Sequence, residues 1–297
     1  MAENQKSFYY ALDDPVTGSY FHFTNDLSKN LKTAFSHPKA NHILWNRTKE
    51  SFTFSCDDHT VILKKNTFCT LTALNYIKIN DKNKNKLTAI SFNREFYCIR
   101  DHDHEVSCNG ILFYGAQNFS ILNVPTPEIL PFEKLADLFQ KEFKEKDNLH
   151  SEMLVSLLKV LIIRLTRIGR SQIKGISGDP QNIEFIRKFN LLVEENFRKQ
   201  KLISEYSFLL NLSAKKLSEI FRQAKLDPPL LTIHNRIILE AKRMLLFSLK
   251  SINEISDELG FEDASQFSKL FKKVTGEPPS NFRELKRKIS DGSEKLT

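Results

Sequence analysis

The sequence predicts an α+β multidomain chain: a β-barrel or jelly roll first, a helical segment after it, and an all-α domain at the C-terminal end. Three observations carry this. Residues 1–125 alternate short aromatic and β-branched runs with polar turns, the pattern of strands. After Pro125 and Pro127, apolar residues recur at three- and four-residue spacing instead, the pattern of helices. From Pro180 the helical period continues nearly to the end, punctuated by glycine and proline. The boundaries that follow are 1–125 for the β domain, 126–168 for a helical hairpin, 169–179 for a linker, 180–289 for the all-α domain and 290–297 for a disordered tail.

The β domain is read in order. Phe52 and Phe54 alternate with Ser51, Thr53 and Ser55, and Val61–Leu63, Phe68–Leu74 and Tyr76–Ile79 continue the series. Asp81–Lys86 (DKNKNK) makes a solvated hairpin tip before Leu87–Phe92. Phe96–Ile99, a turn at Asn109-Gly110, Ile111–Tyr114 and Ser120–Val124 complete roughly eight strands, which suits a small barrel or jelly roll. Inward aromatics such as Phe54, Phe68, Tyr76, Phe92, Phe96 and Phe113 would serve equally as a plain core or as the wall of a ligand pocket.

Two helices follow. The first runs from Pro131 to about Lys146 with Phe132, Leu135, Phe139 and Phe143 on one side. The second runs from about Leu149 to Ile168, where Leu154, Leu158, Leu161, Leu165 and Ile168 repeat every four and three residues. That seam suits a dimer contact, with packing against the chain's own β domain as the alternative. Gly169–Asp179 (GRSQIKGISGD) has no apolar period and reads as a flexible linker.

In the all-α domain, a helix from Asn182 to Gln200 buries Ile186, Phe189, Val193 and Phe197. Ser204–Leu212 and Ala214–Ala224, joined at Ser213, pair as two short helices with Leu209, Leu217, Ile220 and Phe221 inward. Their outer face offers Lys215, Lys216, Ser218, Glu219 and Arg222. A rod from Pro229 to Ser248 leads to a second pair. There Ser251 and Glu254 form a capping box, Gly260 ends the helix, and Asp263 caps the next, which Gly276 closes. Two short helices with a tight Gly-containing turn are a helix-turn-helix, whose second helix can lie in a DNA major groove. With Phe267, Leu270 and Phe271 inward, the outer face carries Ser265, Gln266, Ser268, Lys269, Lys272 and Lys273, with no acid among them.

The pattern I-x-E-I-S-D-x-L-G-F-x-D-x-S-x-F-S-x-x-F-K-K-x-x-G-x-x-P-S-x-F-R, from Ile252 to Arg283, resembles the C-terminal signature of the AraC/XylS family of bacterial transcription regulators. Ser256 stands where the family more often has Ala. Ala241–Leu246 (A-K-R-x-L-L) resembles the family's connecting helix. The first motif departs from the family pattern: Phe221-Arg222 is followed by Leu226 where the F-K-x-x-x-G ending has its glycine. The resemblance implies a cupin-like sensory domain at the N-terminus and two reading helices addressing successive major grooves. About 18 residues of connecting helix at 1.5 Å rise span about 27 Å, against about 34 Å for a DNA turn. Base reading is then expected from Ser265, Gln266 and Lys269 in the second motif and Lys215, Lys216 and Ser218 in the first. Phosphate contacts are expected from Lys272, Lys273, Arg222, Arg243 and Arg283.

Composition agrees. Of the net charge of +8, the part from Pro180 onward holds 21 Lys and Arg against 16 Asp and Glu, leaving 23 against 20 before it. A basic C-terminal part suits a polyanion. Cys56, Cys69, Cys98 and Cys108 lack C-x-x-C spacing and read as reduced core thiols. MAENQKSFYYALDD has no apolar signal region, and Met153–Ile168 is charged and too short to span a bilayer, so a cytoplasmic protein is expected. His102-Asp103-His104-Glu105 approaches the H-x-H metal pattern of cupins, but the acid stands in the wrong place, so no cofactor is expected. No P-loop, G-x-G-x-x-G or nucleophile triad occurs, and no enzyme is expected. The expected activity is sequence-specific transcription activation, with double-stranded DNA, a second copy, an unidentified small-molecule effector and RNA polymerase as partners, and no membrane. The alternative is a metal-dependent cupin sensor or enzyme fused to a DNA-binding domain.

Overall fold

A computed structural model describes residues 7–25, 35, 37, 39–56, 59–73, 75, 77–79, 87–99, 101–103, 110–113, 119–145, 147–177 and 180–290. The chain divides into two units, Met1–Ile183 and Glu184–Thr297. In the first, strands β1 (Tyr9–Asp13), β2 (Tyr20–Thr24), β3 (Asn41–Asn46), β4 (Phe52–Cys56), β5 (His59–Leu63), β6 (Thr67–Leu71), β7 (Ile77–Lys78), β8 (Leu87–Phe92) and β9 (Phe119–Asn123) precede helices α1 (Thr126–Glu142) and α2 (His150–Ser177). The strands form a six-stranded sheet in the order β1-β2-β8-β3-β6-β9 and a three-stranded sheet in the order β5-β4-β7. Every neighbouring pair is antiparallel.

Alternation of side chains builds three layers. Phe21, Phe23, Ile43, Trp45, Phe68, Ile90 and Phe92 point from the large sheet to one face and pack with Phe132, Leu135 and Phe139 of α1 and Leu154 through Leu165 of α2. Leu44, Cys69, Leu71, Leu87 and Ala89 point to the other face, against Phe52, Phe54, Val61 and Leu63 of the small sheet. A sheet covered on both sides has no polar face, which explains why β2, β3, β6 and β8 are buried at every position.

That double burial also hid strands from the sequence reading. In β2 and β3 the buried positions include His22, Thr24, Asn41, His42 and Asn46, so no apolar period marks them. Conversely, Phe96–Ile99 and the described part of Ile111–Tyr114 are not extended strands: Phe96, Ile99, Ile111 and Leu112 lie in turns, and Phe113 forms a single bridge. Asn93 is the cause: its Oδ1 accepts from the Phe96 amide at 3.0 Å and its carbonyl from the Tyr97 amide at 3.1 Å, closing a turn that still delivers both rings to the core. The tip at Asp81–Lys86, together with Tyr76, His104, Cys108 and the last seven residues of the expected tail, lies outside the described residues. Cys56, Cys69 and Cys98 are buried.

Three helical expectations are corrected. Helix α1 begins at Thr126, with Pro127 in its first turn and Pro131 inside it, rather than at Pro131. The expected linker is helix as far as Ser177. Gly169 is there because the helix comes close to the 110–113 turn: an added Cβ would stand 2.9 Å from Ile111 Cγ2. The expected dimer seam is internal. Leu154, Leu158 and Leu165 are fully buried and Leu161 nearly so, all in the core of their own unit, so they offer a partner nothing.

The second unit is helical: the remainder of α3 (Pro180–Asn196), then α4 (Ile203–Leu209), α5 (Ala214–Gln223), α6 (Pro229–Phe247), α7 (Ile252–Glu258), α8 (Ala264–Thr275) and α9 (Pro279–Ser290). Ile186, Phe189, Val193 and Phe197 of the first segment are buried as the spacing predicts.

Candidate nucleic-acid interface

Helices α4–α5 and α7–α8 are the two paired-helix motifs, and α6 runs between them. Each motif's second helix is capped by the side chain the sequence offers. Ser213 Oγ accepts from the Lys216 amide at 3.1 Å, and Asp263 Oδ1 from the Gln266 amide at 2.8 Å. Ser251 and Glu254 form the reciprocal capping box at the start of α7.

The turns inside the motifs match each other. Asn211 (φ 54) and Gly260 (φ 73) each take the left-handed conformation after a first helix. Leu212 and Phe261 then donate back to the carbonyls of Ser207 and Ser256 at 2.9 and 3.1 Å. Where the first motif lacks the family glycine, Lys225 (φ 52) closes α5 one residue before Leu226. Leu226 N–H reaches the Phe221 carbonyl at 3.0 Å and Lys225 N–H the Arg222 carbonyl at 3.1 Å. A left-handed lysine is strained where glycine is not, so Lys225→Gly should stabilise this unit by about 0.5–1 kcal/mol, read as a higher urea midpoint at unchanged slope.

Both reading faces stand open. Ser265, Gln266, Lys269, Lys272 and Lys273 on α8 are exposed and Ser268 is half-buried, while Phe267 and Phe271 are buried beneath them. On α5, Lys215, Lys216, Ser218 and Arg222 are exposed over buried Leu217, Ile220 and Phe221. In α4 the buried residues are Tyr206 and Ser207, and the C-cap Leu210 is buried after them, whereas Leu209, expected inward, is 44% exposed.

Two arginines expected on phosphates have other work. Arg243 Nη2 and Nε donate to Glu240 at 2.7 and 3.2 Å, and Arg283 Nη2 donates to the Lys250 carbonyl at 2.6 Å. Glu240 is 3% exposed and also accepts from Arg198 Nη2 at 2.9 Å. Arg236 Nη1 stands 3.6 Å from it, while Arg236 Nε and Nη2 bind Glu194 at 2.5 and 3.1 Å and the guanidinium stacks 3.9 Å over Phe197. These arginines brace α6: the Glu240 pairs with Arg236 and Arg243 follow the i,i+4 and i,i+3 spacing of one helix, whereas Arg198–Glu240 and Arg236–Glu194 join residues 42 apart that no local spacing reveals. Beside them, burial pushes the Lys201 ammonium below its ordinary pKa against the pull of Glu205, and burial with nearby Lys273 does the same to His234.

In the N-terminal unit, an apolar cavity of about 20 Å³ lies between the large sheet and the helices, lined by Phe23, Trp45, Phe68, Phe132, Phe139 and Leu161 among others. That volume holds about one water molecule, and the buried Trp45 Nε1 has no hydrogen-bond partner among the described residues. Of the aromatics expected to wall a ligand pocket, Phe68 lines it. Phe54 packs between the sheets, and Phe92, Phe96 and Phe113 sit in the core on the helical side. Polar side chains with no local sequence signal are buried on the opposite face of the large sheet: His42 Nδ1 meets Ser91 Oγ at 2.7 Å, and burial with His37 pushes its pKa down to about 3. Among the described residues no three His, Cys, Asp or Glu converge as metal ligands. His102 stacks on Tyr97 and its Nδ1 meets the Cys98 carbonyl at 2.9 Å. No helix among the described residues is long and apolar enough to cross a membrane.

The two motifs and the helix between them coincide with a match to known proteins. A family model described as a helix-turn-helix domain covers residues 206–285, from α4 into α9. The arabinose operon regulatory protein of Escherichia coli (strain K12) is 36% identical over 87 residues, 29% of this chain and 30% of that protein. Residues 206–285 are an AraC-type helix-turn-helix domain. The raffinose operon transcriptional regulatory protein of Pediococcus pentosaceus is 30% identical over 123 residues, 40% of this chain and 44% of that protein. The chain thus spans less than half the length of these two curated relatives. Among solved structures, the C-terminal domain of the response regulator yesN from Fusobacterium nucleatum is 29% identical and covers 32% of this chain and 93% of its own, with a TM-score of 0.31. The AraC-type domain lies within the second unit.

Proposed function

We propose that the chain is a sequence-specific DNA-binding transcription regulator that reads two neighbouring major grooves and activates. One observation carries the reading: within the AraC-type domain two capped helices, α5 and α8, each present an exposed face of amides, hydroxyls and cations, and α8 has no acid from Ser265 to Lys273. Base contacts are assigned to Ser265, Gln266 and Lys269 and to Lys215, Lys216 and Ser218. Phosphate contacts are assigned to Lys272, Lys273 and Arg222. Lys269→Ala is expected to flatten the sequence preference by about 1–3 kcal/mol at one position, whereas Lys273→Ala weakens binding to every sequence and lowers the salt slope by about one. A binding assay against a random-sequence duplex library separates the two, and the reverse pattern would show the faces misassigned.

The paired sheets of the N-terminal unit are read as a cupin-like jelly roll that senses an effector or dimerises. Since the Leu154–Leu165 seam is internal, a homodimer would use the opposite side of α2, where Met153 and Val160 are 48% and 42% exposed. RNA polymerase is the further partner that activation requires, and the cytoplasm is the compartment that a DNA-binding regulator fits. The competing reading, a metal-dependent sensor or enzyme, predicts stoichiometric iron, manganese, zinc or nickel by elemental analysis of the purified chain.

A further inference from the structure

We propose that Lys201 is a positioning residue for DNA recognition, fixing how the two reading helices are oriented relative to each other; this rests on the DNA-reading assignment above. Lys201 stands just before α4, at the start of the first motif, and its side chain reaches the turn of the second. Its Nζ donates to the backbone carbonyls of Gly260 at 2.6 Å and Arg198 at 3.0 Å, and it lies 4.9 Å over the ring of Phe261. At the same place the two motifs meet backbone to backbone, so closely that a Cβ on Gly260 would stand 1.8 Å from the Arg198 carbonyl oxygen. The Arg198 side chain continues the link to Glu240 on α6. One ammonium therefore joins the first motif, the turn of the second and, through Arg198, the helix between them, without belonging to either reading face.

Helix α6 fixes a distance along its axis, but rotation of each motif about that axis is set by lateral contacts. Rotation of one motif against the other separates the two carbonyls, and Nζ then keeps at most one of them. Both bonds lie at the surface. Water therefore replaces the ammonium when it is removed, and the fold survives while the shared orientation loosens.

The probes are duplexes selected from a random-sequence library by the wild-type chain, with companions in which one half-site is scrambled or the spacing is altered by one base pair. Lys201→Met keeps the aliphatic stem over Phe261 and removes the donors; Lys201→Arg keeps a charged donor. Lys201→Met is expected to bind the selected site about fivefold to tenfold more weakly, roughly the net worth of one hydrogen bond. It should keep wild-type affinity for scrambled half-site probes, discriminate less against altered spacing, and hold its thermal midpoint, with Lys201→Arg recovering most of the loss. Wild-type affinity and spacing preference in Lys201→Met overturn the proposal. Equal losses on intact and half-site probes with a salt slope lower by about one identify a phosphate contact instead. A loss that tracks a collapsed thermal midpoint identifies a merely structural lysine and overturns it too. A wild-type chain that selects no sequence removes the DNA-reading assignment and this inference together, whereas selection with no effect of Lys201→Met removes this one alone.

Discussion

Gly260→Ala should unfold the C-terminal unit and leave the N-terminal one standing. Two costs fall on the same methyl group. At φ 73 a side chain is strained by about 1–2 kcal/mol. The new Cβ would also lie 1.8 Å from the Arg198 carbonyl oxygen, a backbone atom that cannot swing away as a side chain could. Arg198 is held on both sides, by Lys201 at its carbonyl and Glu240 at its guanidinium, so relief means separating the two motifs. The expected loss exceeds about 4 kcal/mol, the range reserved for strain and overpacking combined. Gly276 supplies the control. Its φ of 85 carries the same backbone strain, yet its added Cβ meets nothing within 4 Å, so Gly276→Ala should cost about 1–2 kcal/mol. Urea unfolding followed by helical ellipticity reads both variants. Fluorescence of Trp45, the single tryptophan of the chain, lies in the other unit and should keep its wild-type midpoint. Equal costs for the two substitutions would mean that the motifs do not meet at Gly260.

The difference between these glycines shows what a sequence reveals and what it withholds. Both were legible as helix ends, because a left-handed cap is a local demand that glycine answers locally. The same holds for Ser251, Glu254 and Asp263, whose caps form as their spacing predicts. The close approach at Gly260 was not legible, since Arg198 lies far away in the chain. Arg283 is withheld in the same way, since the Lys250 carbonyl that it binds lies 33 residues away, whereas the Glu240 partner of Arg243 stands three residues back on the same helix. Leu154, Leu158, Leu161 and Leu165 gave a correct period and a wrong destination, because a heptad seam does not say which surface covers it. Lys225 offered no signal at all. It performs a glycine's part under strain, and the bonds of Leu226 and Lys225 to the end of α5 hold it there.

Glu240→Ala is expected to cost about 3 kcal/mol, because it leaves a buried cation without one of its partners. The carboxylate is 3% exposed and faces Arg198, Arg236 and Arg243. Arg198 and Arg243 are about half exposed, so without Glu240 they turn to water at little cost; Arg236 is 13% exposed and cannot. Glu194 still binds it, which holds the expected loss to the lower end of the buried-pair range. The pH dependence has a definite sign. Burial acts to raise the Glu240 pKa, but the hydrogen bond from Arg243 and the fields of Arg236, Arg243 and Arg198 outweigh it and hold the carboxyl below its ordinary value. A depressed folded-state pKa contributes stability that is fully present above the unfolded value of about 4.3 and is lost as pH falls through the folded value. Wild-type and Glu240→Gln stabilities should therefore converge as pH is lowered below about 4 and stay apart at pH 7. Salt should hardly change the gap, since a buried cluster is poorly screened, whereas Lys273→Ala acts on a contact that salt weakens strongly. Helical ellipticity in urea across that pH range measures it. A gap that is constant with pH would mean that Glu240 acts through shape alone.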